Sequence, residues 1–252
     1  MFEQLNYYFA LLLTFLMSTT GSLGVAIIVF TVGLKVLLFP ITLNSLKAAY
    51  KMRLLQPEIK KIQEKYKKDP QGLQKAQMKL YADNKLNPLA GCLPQILQLV
   101  ILVLLYQGLI AFFKLEEFGG VVIGRSFLWL DLSKPDQFYI LPILATVSQF
   151  ALSYLMMGTP VGDKKNISKS KNKESKKEIE KKTDKAPEAP DMSSIMQKQM
   201  LYFMPLITGF ISLSFPSGLV LYWVISTVVS AVQQVYANKV AAQEQLAIVI
   251  RK

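Results

Sequence analysis

Lys35 stands in GVAIIVFTVGLKVLLFPI, residues 24–41, an apolar run long enough to cross a bilayer. An amine at that depth costs about 3 kcal/mol even on insertion scales, so it needs a polar destination. Two kinds of chemistry are open to it. As a neutral base it could activate a serine, because burial disfavours the ammonium. As an ammonium it offers three N–H donors and a fixed positive charge that would attract a polar or acidic segment of a passing chain. Snorkelling is the bland alternative. About eight residues, roughly 12 Å at the helical rise, separate Lys35 from the inner end of its run, more than the side chain covers without local bilayer thinning.

Other residue types narrow the choice. The chain has no His and a single cysteine, Cys92, which removes the usual zinc and haem ligands, histidine bases and an internal disulfide. No metal or cofactor is expected. A Ser/Lys hydrolase lacks a G-x-S-x-G motif and any serine in the Lys35 run. A cation-coupled small-molecule transporter would call for intramembrane acids, and the apolar runs contain none. The polar groups that could join Lys35 are Thr31, Gln95 and Gln98 three residues apart, Gln149, Tyr222 and Trp223. Directed inward together they would line a wet cavity open to the cytoplasm and to lipid. Taken singly they are ordinary interhelical glue.

The elements that must hold these residues follow from segregation of apolar and basic residues. The chain is 52% hydrophobic yet carries a net charge of +12 over 252 residues. Apolar segments at 21–43, 89–113, 138–157, 199–215 and 219–236 approach the roughly 20 residues a spanning helix needs. So many in so short a chain would leave a soluble fold too little polar surface. Connection 44–88 has eleven Lys or Arg against four acids, and 158–198 has eleven Lys against seven. Connection 114–137 has three basic residues against four acids, while the tail 237–252 is again basic. The positive-inside rule puts the basic segments in the cytoplasm and the N-terminus outside, a multi-pass membrane arrangement. The cationic inner face also suits anionic lipid or ribosomal RNA; DNA is not an expected partner.

Residues 1–20 carry no basic start and no A-x-A site, so an amphipathic interfacial helix on the outer surface is expected rather than a cleaved signal. In 44–88, Met52, Leu55, Ile59, Ile62 and Tyr66 recur at steps of three and four, with Pro57 early in the stripe. KKDPQG breaks that helix, and Leu73, Ala76 and Leu80 mark a second one, giving a helical hairpin. The stretch 162–194 is rich in Lys, Glu, Ser and Pro and should be a disordered tether.

Four stretches, GVAIIVFTVGLKVLLFPI, LQPEIKKIQEKYKKDPQGLQKAQMKLYADNKLNPLAGCLPQILQ, FLWLDLSKPDQFYILPIL and QKQMLYFMPLITGFISLSFPSGLVLYWVISTVVSAVQQ, resemble in order the YidC family of membrane protein insertases. The resemblance implies an all-α membrane protein with five transmembrane helices around a hydrophilic groove closed on the outer side, and a cytoplasmic hairpin needed for activity. It implies insertion of nascent membrane proteins, without enzymatic chemistry, alone or beside the Sec translocon, with the ribosome and signal recognition machinery as further partners. Family members usually have Arg at the groove centre, and Lys35 occupies the matching place. Trp223 matches the aromatic of the family's LYW stretch. Three departures are expected: the large outer domain with its extra N-terminal span of many members is missing, so is the lipoprotein cysteine of others, and the long linker between the third and fourth spans is unusual.

Overall fold

The computed structural model describes residues 2–67, 69–87, 93–157 and 192–250. Residues 88–92, where the second apolar segment was expected to open, lie outside the described residues. So does the expected tether as far as 191.

The described residues form an all-α helical membrane protein of eight helices: α1 (Phe2–Thr20), α2 (Leu23–Leu54), α3 (Gln56–Lys65), α4 (Pro70–Asp83), α5 (Leu93–Phe113), α6 (Ile140–Met157), α7 (Met192–Ser212) and α8 (Ser217–Ile250). Three of them, α2, α5 and α8, are long and apolar enough to cross a membrane; α6 and α7 contribute shorter apolar stretches, Ile140–Met156 and Leu201–Ser212. Between α5 and α6 the chain makes two small antiparallel hairpins not expected from the sequence. In the first, β1 (Glu117–Phe118) pairs with β2 (Val121–Val122); in the second, β3 (Ser126–Phe127) pairs with β4 (Leu130–Asp131).

Several boundaries differ from the sequence reading. The helix expected to end at residue 43 runs unbroken to Leu54 as α2, through Pro40. Pro40 removes one backbone bond, to the Val36 carbonyl, and that loss is offset because the extension packs along the far half of α8. There Ser45 and Leu46 are buried with Ala237 and Ala241, and Lys47 Nζ pairs with Glu244 Oε1 at 2.6 Å. The expected tail after residue 236 is therefore a continuation of α8. Met52 falls in α2, Leu55 is the link, and Tyr66 caps α3, so the apolar stripe spans a helix junction rather than one helix. Helix α7 takes in the last three residues of the expected tether.

Helix α1 buries Ala10, Leu13 and Met17 against the bundle. Its other face is not polar, as an aqueous surface helix would have it, but carries exposed Tyr8, Leu11, Leu12 and Phe15.

The apolar core is lopsided. It gathers Leu23, Ala26 and Ile27 of α2, Leu105, Leu109 and Phe112 of α5, Leu219 and Val220 of α8, Leu130 and Leu132 of the loop, and Leu141 and Ala145 of α6. All lie toward the end where α2, α6 and α8 begin and α5 finishes. The N-terminal half of α5 stands apart from this packing: Gln95, Ile96, Leu99, Val100 and Val103 are exposed, whereas its buried residues start at Leu105. The bundle is thus packed tightly at one end, while toward the other end α2, α5 and α8 meet through polar side chains rather than an apolar core.

Candidate functional site

Lys35 lies on α2 beyond the apolar core, whose last buried α2 member is Ile27. Its Nζ donates to Gln98 Oε1 of α5 at 2.8 Å and to Ser230 Oγ of α8 at 2.8 Å. Gln98 Oε1 also accepts from Ser226 Oγ at 3.0 Å, and its Nε2 donates to the Tyr222 hydroxyl at 3.1 Å. Gln233 Nε2 donates to the Lys35 backbone carbonyl at 2.9 Å, in the turn that Pro40 loosens. The α8 partners, Tyr222, Ser226, Ser230 and Gln233, are spaced four, four and three apart and so form one stripe of that helix. Three helices are thus joined by a polar ladder at mid-span.

The electrostatics are simple. Among the described residues no carboxylate pairs with Lys35; its acceptors are an amide and a hydroxyl oxygen. An ammonium has three N–H donors, and two are used here. The positive charge is held in place but not neutralised. Around it Val32, Val36 and Leu37 are exposed, and nothing approaches the Cα of Gly33 where a side chain would project. Lys35 itself is half-buried.

Of the residues singled out from sequence, the structure brings together Lys35, Gln98 and Tyr222. Thr31 is not in the ladder: it is fully buried and its hydroxyl donates to the Ile27 carbonyl at 2.6 Å, one turn back in the same helix. Gln95 is exposed on the N-terminal half of α5. Gln149 is half-buried on α6 and makes no hydrogen bond to Lys35. Trp223, next to Tyr222, turns about 100° around the helix and packs half-buried against the core. Ser226, Ser230 and Gln233 were not assigned to the site from sequence. Their spacing from Tyr222 was the available signal, but serines repeat on helix faces for packing too.

At the other end of α2, Arg53 ties three helices together. Its Nη1 donates to the Leu155 carbonyl in the last turn of α6 at 2.8 Å, and its Nη2 to Asn238 Oδ1 of α8 at 2.6 Å. Just beyond it the hairpin projects. Ile59 is buried, Leu55, Ile62, Tyr66, Leu73 and Leu80 are half-buried, Pro57 is exposed, and α4 buries no residue at all. Asp69 caps α4 by accepting from the Gly72 amide at 2.9 Å.

The model of the 60Kd inner membrane protein family matches residues 15–244. A membrane protein insertase YidC of Fusobacterium nucleatum is 35% identical over 245 residues, covering 94% of this chain and 100% of the relative. Those of Francisella philomiragia (35% identical, 86% of this chain) and Citrifermentans bemidjiense (33%, 91%) are longer proteins, of which the chain spans 32% and 36%. Among solved structures, an active YidC insertase with its first transmembrane domain resolved superposes with a TM-score of 0.62 at 26% identity, over 92% of this chain and 45% of that one. With nearly its whole length matched, the chain belongs to the 60Kd inner membrane protein family, that of the YidC membrane protein insertases, whose function is not enzymatic.

Proposed function

We propose that segments of nascent membrane proteins enter a cleft between α2, α5 and α8 and are drawn in by the charge of Lys35 before moving sideways into lipid. The observation that carries this is an ammonium held between two helices by neutral oxygens, with no acid beside it among the described residues. Water and fixed dipoles in the cleft lower the cost of bringing polar groups through hydrocarbon, and an opposite charge on the substrate lowers it further. In this reading Ser230 is an acceptor that positions the amine, not a nucleophile. Gln98 and Tyr222 are parts of the same ladder, and Trp223 flanks it.

The same proposal sets α2, α5, α6, α7 and α8 as the five spans, with the tightly packed end of the bundle outside and the cleft opening to the cytoplasm. The hairpin and the basic connections then face the cytoplasm, where a ribosome, a translocon, signal recognition machinery and anionic lipid would be met. Support comes from the charge of those connections and from the hairpin's sparse packing, which leaves its faces free to dock.

The experiment replaces Gln98 with a photo-crosslinking amino acid and stalls ribosomes on membrane protein substrates. Crosslinks to the nascent chain are expected from position 98 and not from lipid-facing Val147 on α6. Equal crosslinking from both would remove the cleft as the path. In parallel, Lys35→Arg should keep insertion of substrates with acidic translocated tails and Lys35→Ala should impair it.

A further inference from the structure

The two hairpins between α5 and α6 have the same form and opposite chemistry. Each joins its strands through two residues, since Phe118 pairs with Val121 and Phe127 with Leu130. Such links require a positive φ at their first position, which Gly, Asn and Asp accept readily and bulky residues resist. The first hairpin obeys: Gly119 and Gly120 have φ of +60° and +78°. The second places Leu128 at that position with φ +55°, followed by Trp129. Ten residues on, Tyr139 is also left-handed, at φ +58°. Bulky side chains kept at strained positions point to a use for the side chains themselves.

Packing within the chain takes up only part of these side chains. Leu128 is 75% exposed and Trp129 45%, while their neighbours Phe127 and Leu130 turn inward, Phe127 onto Gly24 of α2. Phe138 and Tyr139 are exposed as well and lead directly into Ile140, Ile143 and Leu144, exposed on the first turns of α6. Phe138 and Tyr139 are therefore continuous along the chain with the exposed apolar side of α6, while Leu128 and Trp129 stand across a depression that Asp131, Lys134 and Gln137 also line. The position of the second hairpin is fixed, because the strand is bolted to the start of α8: the Ser217 and Gly218 amides donate to the Lys134 and Leu132 carbonyls at 2.7 and 2.9 Å, and Ser217 Oγ bonds to the Asp131 carbonyl. Residues 131–134, which follow the tip, are thereby held against the first residues of α8, one end of a helix long and apolar enough to span a membrane. Indole and phenol rings favour the headgroup layer of a bilayer, having an apolar body and a polar edge.

We propose that Leu128, Trp129, Phe138 and Tyr139 form an interfacial anchor that inserts into the headgroup and upper acyl region of the leaflet at the tightly packed end of the bundle. The partner is the phospholipid surface itself. By holding that end at a set depth, the anchor also sets the depth of Lys35.

The chain has two tryptophans, so subtracting the emission of the Trp129→Phe variant from that of the unaltered chain isolates Trp129. Both are reconstituted in phosphatidylcholine and phosphatidylglycerol vesicles containing lipid brominated either just below the headgroup or near the chain ends. The expected result is loss of the Trp129 signal with the shallow bromines and its retention with the deep ones. Retention with both would put the tip in water or under a protein partner and overturn the proposal, as would loss with the deep bromines alone. In Leu128→Gly the backbone strain is relieved. Its melting temperature in detergent should hold or rise, while Trp129 emission in vesicles shifts to longer wavelength. A lower melting temperature in detergent would make Leu128 a packing residue and overturn the anchor.

Discussion

Replacing Gln98 with Glu tests the charge of the cleft without touching the lysine. The side chains are nearly the same size, and the acceptor oxygen stays about where Gln98 Oε1 now receives Lys35 Nζ at 2.8 Å. What changes is that a neutral acceptor becomes a carboxylate, and the cleft's net charge falls from one to zero. A substrate carboxylate at about 6 Å from Lys35, in a half-hydrated cleft with an effective dielectric constant near 40, gains about 1.4 kcal/mol from the ammonium, by Coulomb's law. Losing that is about a tenfold fall in entry of an acidic segment, whereas a neutral segment loses almost nothing. The assay compares two substrates that differ only in whether the translocated tail carries aspartates or asparagines, inserted into vesicles bearing either insertase and scored by protease protection. Gln98→Glu should lower the acidic substrate about tenfold and change the neutral one by less than about twofold. The new ion pair replaces one hydrogen bond, and the Tyr222 hydroxyl, which now accepts from Gln98 Nε2, can turn to donate to the carboxylate, so the melting temperature should change little. Equal insertion of the acidic substrate by both forms would refute the charge mechanism, since the positive charge would have been cancelled without consequence.

Three further outcomes follow from the geometry. Arg53→Ala should cost about 2 to 3 kcal/mol in a detergent unfolding series, because it removes charge-assisted bonds to Leu155 and Asn238 that join α2 to α6 and α8. Gly24→Leu should destabilise by about 1 to 3 kcal/mol, because any side chain at Gly24 runs into the Phe127 ring; the same change at Gly33, which faces open space, should be far milder by thermal melting. Asp131, outside the spanning helices, is held below the ordinary carboxylate range, first by the Ser133 hydroxyl that donates to it at 2.6 Å, with Lys134 adding to this. The folded state then binds fewer protons, so this stabilisation is present above the unfolded pKa near 4 and is lost as pH falls through the lower folded value. The loss of melting temperature on acidification to about pH 3 should therefore be smaller in Ser133→Ala, and an identical loss would remove Asp131 from the acid response.

The legible part of the site was Lys35, because a cation in an apolar run is energetically exceptional whatever surrounds it. Gln98 and Tyr222 were legible as polar residues on neighbouring spans. Thr31 read the same way but is satisfied by its own helix at Ile27, an outcome that depends on which way its face turns. Ser226, Ser230 and Gln233 look like packing residues until α8 is set beside α2 and α5. The hairpin at Leu128 was invisible because its turn residues are not turn formers.

By itself the sequence determined that this chain lives in a membrane and where its cation lies, because hydrophobic run length and charge placement are properties of composition along one dimension. Only the tertiary structure decided that Gln98 of α5 meets both α2 and α8, that the amine meets oxygens and, among the described residues, no acid, and that α2 outlasts Pro40. Those facts depend on how helix faces turn toward one another. That is fixed by the lopsided packing of Leu105, Leu109 and Phe112 against α2 and α8, residues far apart in the chain whose mutual fit no local pattern records.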